Sequence, residues 1–140
     1  MPRIVLAEEA LTRSIIGAFY EVYNTLDFGF LEHLYVLALT RELTSRGHRV
    51  ELEKSVHVRY KSELLATHRL DMVVDESVIV EVKSTRVLSP VAKRQLLSYL
   101  RSTDHYVGLL LHFGPKAEFH RVYCSHSAGN GMPHQQCSGN

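Results

Sequence analysis

The apolar pattern changes its period at Gly47, and that change constrains the fold more than any other feature of the chain. Before it, apolar residues recur at spacings of three and four; after it come short runs rich in Val, Leu, Tyr and His. In "EALTRSIIGAFYEVYNTL", Leu11, Ile15, Ala18, Phe19, Val22 and Leu26 form the stripe of an amphipathic helix. Gly29 interrupts, and "FLEHLYVLALTRELTSRG" predicts a second helix with Leu31, Leu34, Tyr35 and Ala38 on one side and Gly47 as its C-terminal cap.

Beyond Gly47, "VELEKSVHVRY", "LLATHRLDMVV" and "VIVEVKS" are separated by the polar turns "KSE" and "DES", which predicts a three-strand antiparallel meander. In "LSPVAKRQLLSYLRS", Ser89 is an N-cap, Pro90 sits at the first helical position, and Val91, Leu96, Leu97 and Leu100 supply an apolar side. "HYVGLLLHF" reads as a buried strand and "EFHRVY" as a last strand. The expected class is α/β (α+β), in the order α-α-β-β-β-α-β-β.

With 140 residues, 45% of them apolar, the chain can bury one core, so residues 1–124 are read as one domain. Residues 125–140, rich in Ser, Gly, His, Asn and Gln without periodicity, are expected to be a disordered tail. No apolar run is long enough to span a bilayer, and the opening "MPRIVLAEEALTRS" has acids where a signal peptide needs its apolar core. Two cysteines, Cys124 and Cys137, are too few for a disulfide scaffold, so a cytoplasmic protein with no membrane partner is expected.

A net charge of +1 excludes a global basic field. Between Glu81 and Arg101, however, Lys83, Arg86, Lys93, Arg94 and Arg101 face Glu81 as the only acid. That local excess suits a phosphate-rich ligand, although a solvated helix face has the same composition.

In "VIVEVKS", residues 78–84, alternation puts Val78, Val80 and Val82 on one face and Ile79, Glu81 and Lys83 on the other. Nine residues separate Asp71 from Glu81, so with "DES" as the turn the two acids approach across the ladder. Such a pair repels unless a cation lies between. Mg²⁺, held by one or two carboxylates plus water and phosphate oxygens, would resolve the conflict, and Lys83 would point at the same place.

Through "LTRSIIGAFYEVYNTLDFGFLEHLYVLALTRELTSRGHRVE", "VRYKSELLATHRLDMVVDESVIVEVKS" and "PVAKRQLLSYLRSTDHYVGLLLHFG", the chain resembles the GxxExxY proteins of the PD-(D/E)XK nuclease superfamily. The name motif stands as Gly29, Glu32 and Tyr35 in "GFLEHLY". The resemblance implies a restriction-endonuclease-like core, a mixed central sheet flanked by helices, and metal-dependent phosphodiester hydrolysis. It implies Asp71 and Glu81 as metal ligands, Lys83 as the catalytic lysine and Glu32 as a further acid near the metal.

Gln95 and Tyr99, spaced i, i+4, resemble a Q-x-x-x-Y helix motif that accompanies this site, with Gln95 orienting Lys83 or substrate and Tyr99 binding substrate. Lys93, Arg94 and Arg101 are expected on backbone phosphates. The expected cofactor is Mg²⁺, with Mn²⁺ as a substitute, and no organic cofactor. The expected partner is nucleic acid, DNA ahead of RNA, with a second subunit completing the groove as a homodimer. The chain departs from the family in Asp27 and Phe28 of the loop before Glu32, in Ser62 and in His112.

Other readings compete. Glu81 and Lys83 could be an ordinary solvated pair, and the fold could serve a module that binds nucleic acid or protein without turnover. Cys124, His126, His134 and Cys137 offer a zinc-like spacing in the tail.

Overall fold

The structure, a computed structural model, describes residues 3–125 and 136–139. Two helices come first, α1 (Arg3–Leu26) and α2 (Glu32–Ser45). Then follow β1 (Val50–Leu52), β2 (Ser55–Tyr60), β3 (Glu63–Arg69), β4 (Met72–Val74) and β5 (Val78–Lys83). The chain continues through α3 (Pro90–Arg101), β6 (Val107–Phe113), β7 (Ala117–Ser125) and β8 (Gln136–Gly139). Among the described residues, no helix is long and apolar enough to cross a membrane.

The central sheet has the order β1-β4-β5-β6-β7-β8. All its pairings are antiparallel except β5 with β6, which are parallel and joined by the α3 crossover. This is the mixed sheet flanked by helices that the sequence predicts. Ile15, Phe19, Tyr35 and Leu39 of α1 and α2 pack against Val78, Val80 and Val82 on one face. Leu96 and Leu100 of α3 pack with Ile79 and Leu110 on the other. β5 is therefore covered on both faces, and Glu81 lies on the α3 side.

The expected meander divides. β1, β4 and β5 form it within the sheet, whereas β2 and β3 leave as a separate two-stranded ribbon. The chain turns away where Glu53 takes φ +54, and Leu70 N–H still donates to Lys54 O at 2.9 Å across the junction. Val56 and Leu70 then join the core beside α3, so the bend buries apolar surface that a flat meander would leave in water. Lys61 and Ser62, both at positive φ, close the ribbon with the geometry of a tight hairpin turn.

One further expectation is corrected. On α2 the buried side chains are Tyr35, Leu39 and Leu43, while Leu31 and Leu34 face solvent. Apolar residues surround this helix, so periodicity alone leaves its orientation open. In the expected tail, residues 136–139 form β8, antiparallel to β7, with Cys124 and Cys137 opposite each other in register. Residues 126–135, with His126 and His134 of the zinc-like spacing, lie outside the described residues.

A polar chain ties the elements at the far end of β4. Asp75 accepts from Arg49 N–H at 2.7 Å and lies 2.7 Å from His48 Nδ1, while His48 Nε2 lies 2.7 Å from Ser14 Oγ. The hydroxyl, imidazole and carboxylate follow the order used in acyl transfer. Ser14, however, lies inside α1, whose backbone N–H groups are committed to the helix and offer no oxyanion donors. The chain is a tether.

Candidate nuclease site

Asp71 and Glu81 meet where β4 begins and β5 ends. Asp71 N–H donates to Glu81 Oε1 at 3.0 Å, and Val82 N–H donates to Asp71 Oδ2 at 2.7 Å. Each carboxylate thus accepts a backbone N–H across the ladder, and the two side chains also interact directly with each other. Glu81 is only 6% exposed. Burial first, and then the charge of Asp71, push its carboxyl up to about 8. Burial also raises Asp71, against the opposing pull of the Val82 N–H and of Lys83.

Glu32 enters from the other helical layer, in the first turn of α2, where an acid also complements the helix dipole. Burial and then the charge of Asp71 raise its pKa, while Lys83 and the backbone of Ser84 pull it down. Lys83, half-buried on the same strand face as Glu81, thus acts electrostatically on all three acids.

The loop that delivers Glu32 is held by the two other motif residues. Gly29 takes φ +121, a conformation that strains any L side chain. Tyr35 is fully buried, stacked on Phe113 with ring centroids 4.1 Å apart. Its hydroxyl donates to Asp27 O and accepts from Phe30 N–H. Gly29 and Tyr35 therefore position the loop, and Glu32 is the residue of the motif that faces the carboxylates.

On α3, Tyr99 is 6% exposed; burial and then Glu81 and Asp71 raise its hydroxyl pKa, so it lies at the site's edge. Gln95, one turn earlier, is exposed rather than turned inward. Lys93 is half-buried beside a cavity of about 350 Å³ that it shares with Ser89, Glu118 and His120, whereas Arg94 and Arg101 are exposed. The structure thus brings together Asp71, Glu81, Lys83, Glu32 and Tyr99 and leaves Gln95, Arg94 and Arg101 on the surface of α3. A cavity of about 630 Å³ between α1 and α2, lined by Leu26, Phe30, Leu34 and Leu37, contains none of the carboxylates.

His68 is the residue that sequence reasoning passed over. Its ring lies 5.6 Å from that of Tyr99, which brings the ribbon to the site's edge. Only the bend between β3 and β4 puts it there, and alternation does not report a bend.

Among the described residues, no three of His, Cys, Asp and Glu close into a metal-binding cluster. The donor set nevertheless fits a hard divalent cation. It offers two adjacent carboxylates, Glu81 buried and Asp71 half-buried, whose repulsion a cation would relieve, and Mg²⁺ takes its remaining ligands from water and phosphate.

Residues 9–122 match the family model of the PD-(D/E)XK nuclease superfamily. No curated protein matches the chain. Among solved structures, the chain is similar to that titled "Crystal structure of SSO0001", at 20% identity and a TM-score of 0.52. The match covers 86% of this chain but 60% of the other, so the chain spans less than two thirds of that protein, and the likeness shows the fold alone. The chain belongs to the PD-(D/E)XK nuclease superfamily.

Proposed function

We propose that this chain is a divalent-metal-dependent nuclease of the GxxExxY group, hydrolysing phosphodiester bonds of nucleic acid. The observation that carries the reading is the pairing of half-buried Asp71 with buried Glu81, locked by crossed hydrogen bonds with Lys83 two residues further along the same face. Asp71 and Glu81 would hold Mg²⁺ or Mn²⁺, and Glu32 would reach the ion through water. A cation bound there supplies charge neutralisation on the phosphoryl oxygens and activation of the attacking water.

The chain's own groups supply the rest. The Lys83 ammonium orients the water and stabilises the negative charge that develops on the phosphoryl group. A P–O bond to water forms, the bond to the sugar oxygen breaks, and that oxygen takes up a proton. Tyr99 closes the edge of the site, and Lys93, with Arg94 and Arg101 along α3, meets backbone phosphates; DNA is favoured over RNA, and a second subunit would widen the groove.

The exposed position of Gln95 favours a second reading, a module of the same fold that binds without turnover. Cleavage of labelled single- and double-stranded DNA and RNA, with Mg²⁺, Mn²⁺ or EDTA, by wild type beside Asp71→Ala and Lys83→Ala separates the two. The nuclease reading requires metal-dependent cutting that both variants lose; folded wild type that neither cuts nor binds Mg²⁺ establishes the module.

A further inference from the structure

The β2–β3 ribbon has no evident role in the fold beyond its base. A two-stranded ribbon is marginal by itself, and beyond Val56 this one exposes Tyr60, Leu64 and Leu65 by 60%, 52% and 64%. Across residues 55–69 its formal charges are Arg59, Lys61 and Arg69 against the single acid Glu63, in a chain whose net charge is +1. Its base is one residue from Asp71, because Arg69 ends β3 and Leu70 N–H is fixed to Lys54 O at 2.9 Å.

The two faces differ. Val56 lies opposite His68 and Val58 opposite Ala66, so these side chains share the face turned to α3, where the His68 ring meets Tyr99. Tyr60, two residues beyond Val58, continues that face toward the tip, with Lys61 Nζ 5.4 Å from its ring centroid. Tyr60 at the tip and His68 at the base therefore bracket Val58 and Ala66 on one face that runs to the edge of the carboxylate site, while alternation puts Arg59 and Arg69 on the opposite face. The register shift between Val58 and Arg59 adds local twist along the ribbon.

We propose that this ribbon is an arm that holds a single-stranded segment of nucleic acid against the site. Its bases lie on the Tyr60–His68 face, its phosphates meet Lys61 beside the Tyr60 ring, and Arg59 and Arg69 add positive charge from the opposite face of the narrow ribbon. Aromatic platforms with nearby cations suit unpaired bases, whose faces are open. Tyr60, 60% exposed at the tip, offers its ring to a base only when that base is not already stacked and paired in a duplex. The inference rests on the nuclease reading for its choice of nucleic acid over a protein partner.

The test is equilibrium binding of the full chain in EDTA to fluorescent DNA and RNA of about 20 nucleotides, each single-stranded and as a duplex. Both single strands should bind more tightly than their duplexes, or one of them should if the sugar matters. Tyr60→Ala combined with Leu65→Ser, both at exposed positions, should weaken single-strand binding about tenfold. Arg59→Glu combined with Lys61→Glu should weaken it further and flatten its salt dependence.

Tighter duplex binding, unchanged affinity in both ribbon variants, or no binding to any oligonucleotide would overturn the proposal. The two readings fail separately. Ribbon-dependent binding by a protein that never cuts with metal sinks the nuclease reading and leaves the arm standing, whereas metal-dependent cutting with affinity indifferent to the ribbon sinks the arm alone.

Discussion

Asp71 and Glu81 are held by crossed hydrogen bonds: the backbone N–H of Asp71 donates to Glu81 Oε1 at 3.0 Å, and the Asp71 carboxylate reaches past Glu81 to the N–H of Val82 at 2.7 Å. The ladder between β4 and β5 thus continues through side chains after its backbone pairing ends at Met72 and Val80. Two carboxyl groups are kept in place by bonds that extend the sheet.

Burial and Asp71 raise the Glu81 carboxyl from 4.5 to about 8, so the folded protein keeps a proton that the unfolded chain releases earlier. Fewer protons bound to the unfolded state mean that stability falls as pH rises between those two values. The melting temperature of metal-free protein should therefore decline across that window, and Glu81→Gln should flatten the decline. Added Mg²⁺ should raise the melting temperature of wild type at the upper end and leave Glu81→Gln unaffected. A wild-type profile that rises with pH in EDTA would contradict the assignment.

Lys83→Met keeps the aliphatic stem and removes the charge beside the three acids. Its kcat should fall by about 10²–10³, the cost of losing one stabilising group at a developing charge. Mg²⁺ binding, read by calorimetry, should persist. Equal loss of binding and turnover would make Lys83 a structural counterion.

Tyr35→Phe retains the ring stacked on Phe113 but removes the hydroxyl that bridges Asp27 and Phe30. It should cost about 1 kcal/mol in denaturant unfolding. Gly29→Ala, forced to φ +121, should cost about 1–3 kcal/mol. Both variants should lower metal-dependent cleavage beyond what their stability explains, because both loosen the loop that carries Glu32.

At the other end of β4, burial tends to raise Asp75, but the Arg49 N–H and His48 outweigh it and hold the carboxyl below its usual 3.8. Its stabilising contribution is complete above that value and is lost as pH falls through the lowered one. Asp75 is partly exposed, so solvent screening limits the loss in Asp75→Asn to about 1 kcal/mol or less. Urea melts should show a difference at neutral pH that vanishes in strong acid.

Much of this architecture is legible in residues. Ser89 accepts Val91 N–H at 3.2 Å with Pro90 at the start of α3, as the capping signals require. Alternation in "VIVEVKS" places Glu81 opposite the face occupied by Val80 and Val82. The spacing from Asp71 to Glu81 also reads correctly as a hairpin that makes the acids neighbours.

Other features leave no local mark. The bend at Glu53 and Leu70 is driven by burial of Val56 and Leu70 beside α3, a contact between residues far apart in sequence. The orientation of α2 depends on which apolar side the sheet accepts, and Tyr35, Leu39 and Leu43 win that choice. Gln95 shares a helical face with Tyr99 by spacing, yet Tyr99 is buried and Gln95 is not, because the buried stripe of Ala92, Leu96, Tyr99 and Leu100 is centred to one side of Gln95.

β5 is buried on both faces, and that fact limits how its sequence can drift. Inserting or deleting one residue between Asp71 and Glu81, without a compensating bulge, would reverse every side chain downstream and turn Glu81 into the layer beneath α1 and α2. The turn at Asp75 and Glu76 can therefore change length only in ways that preserve parity. Divergent descendants of this chain should obey an even–odd rule across the short stretch between the two acids.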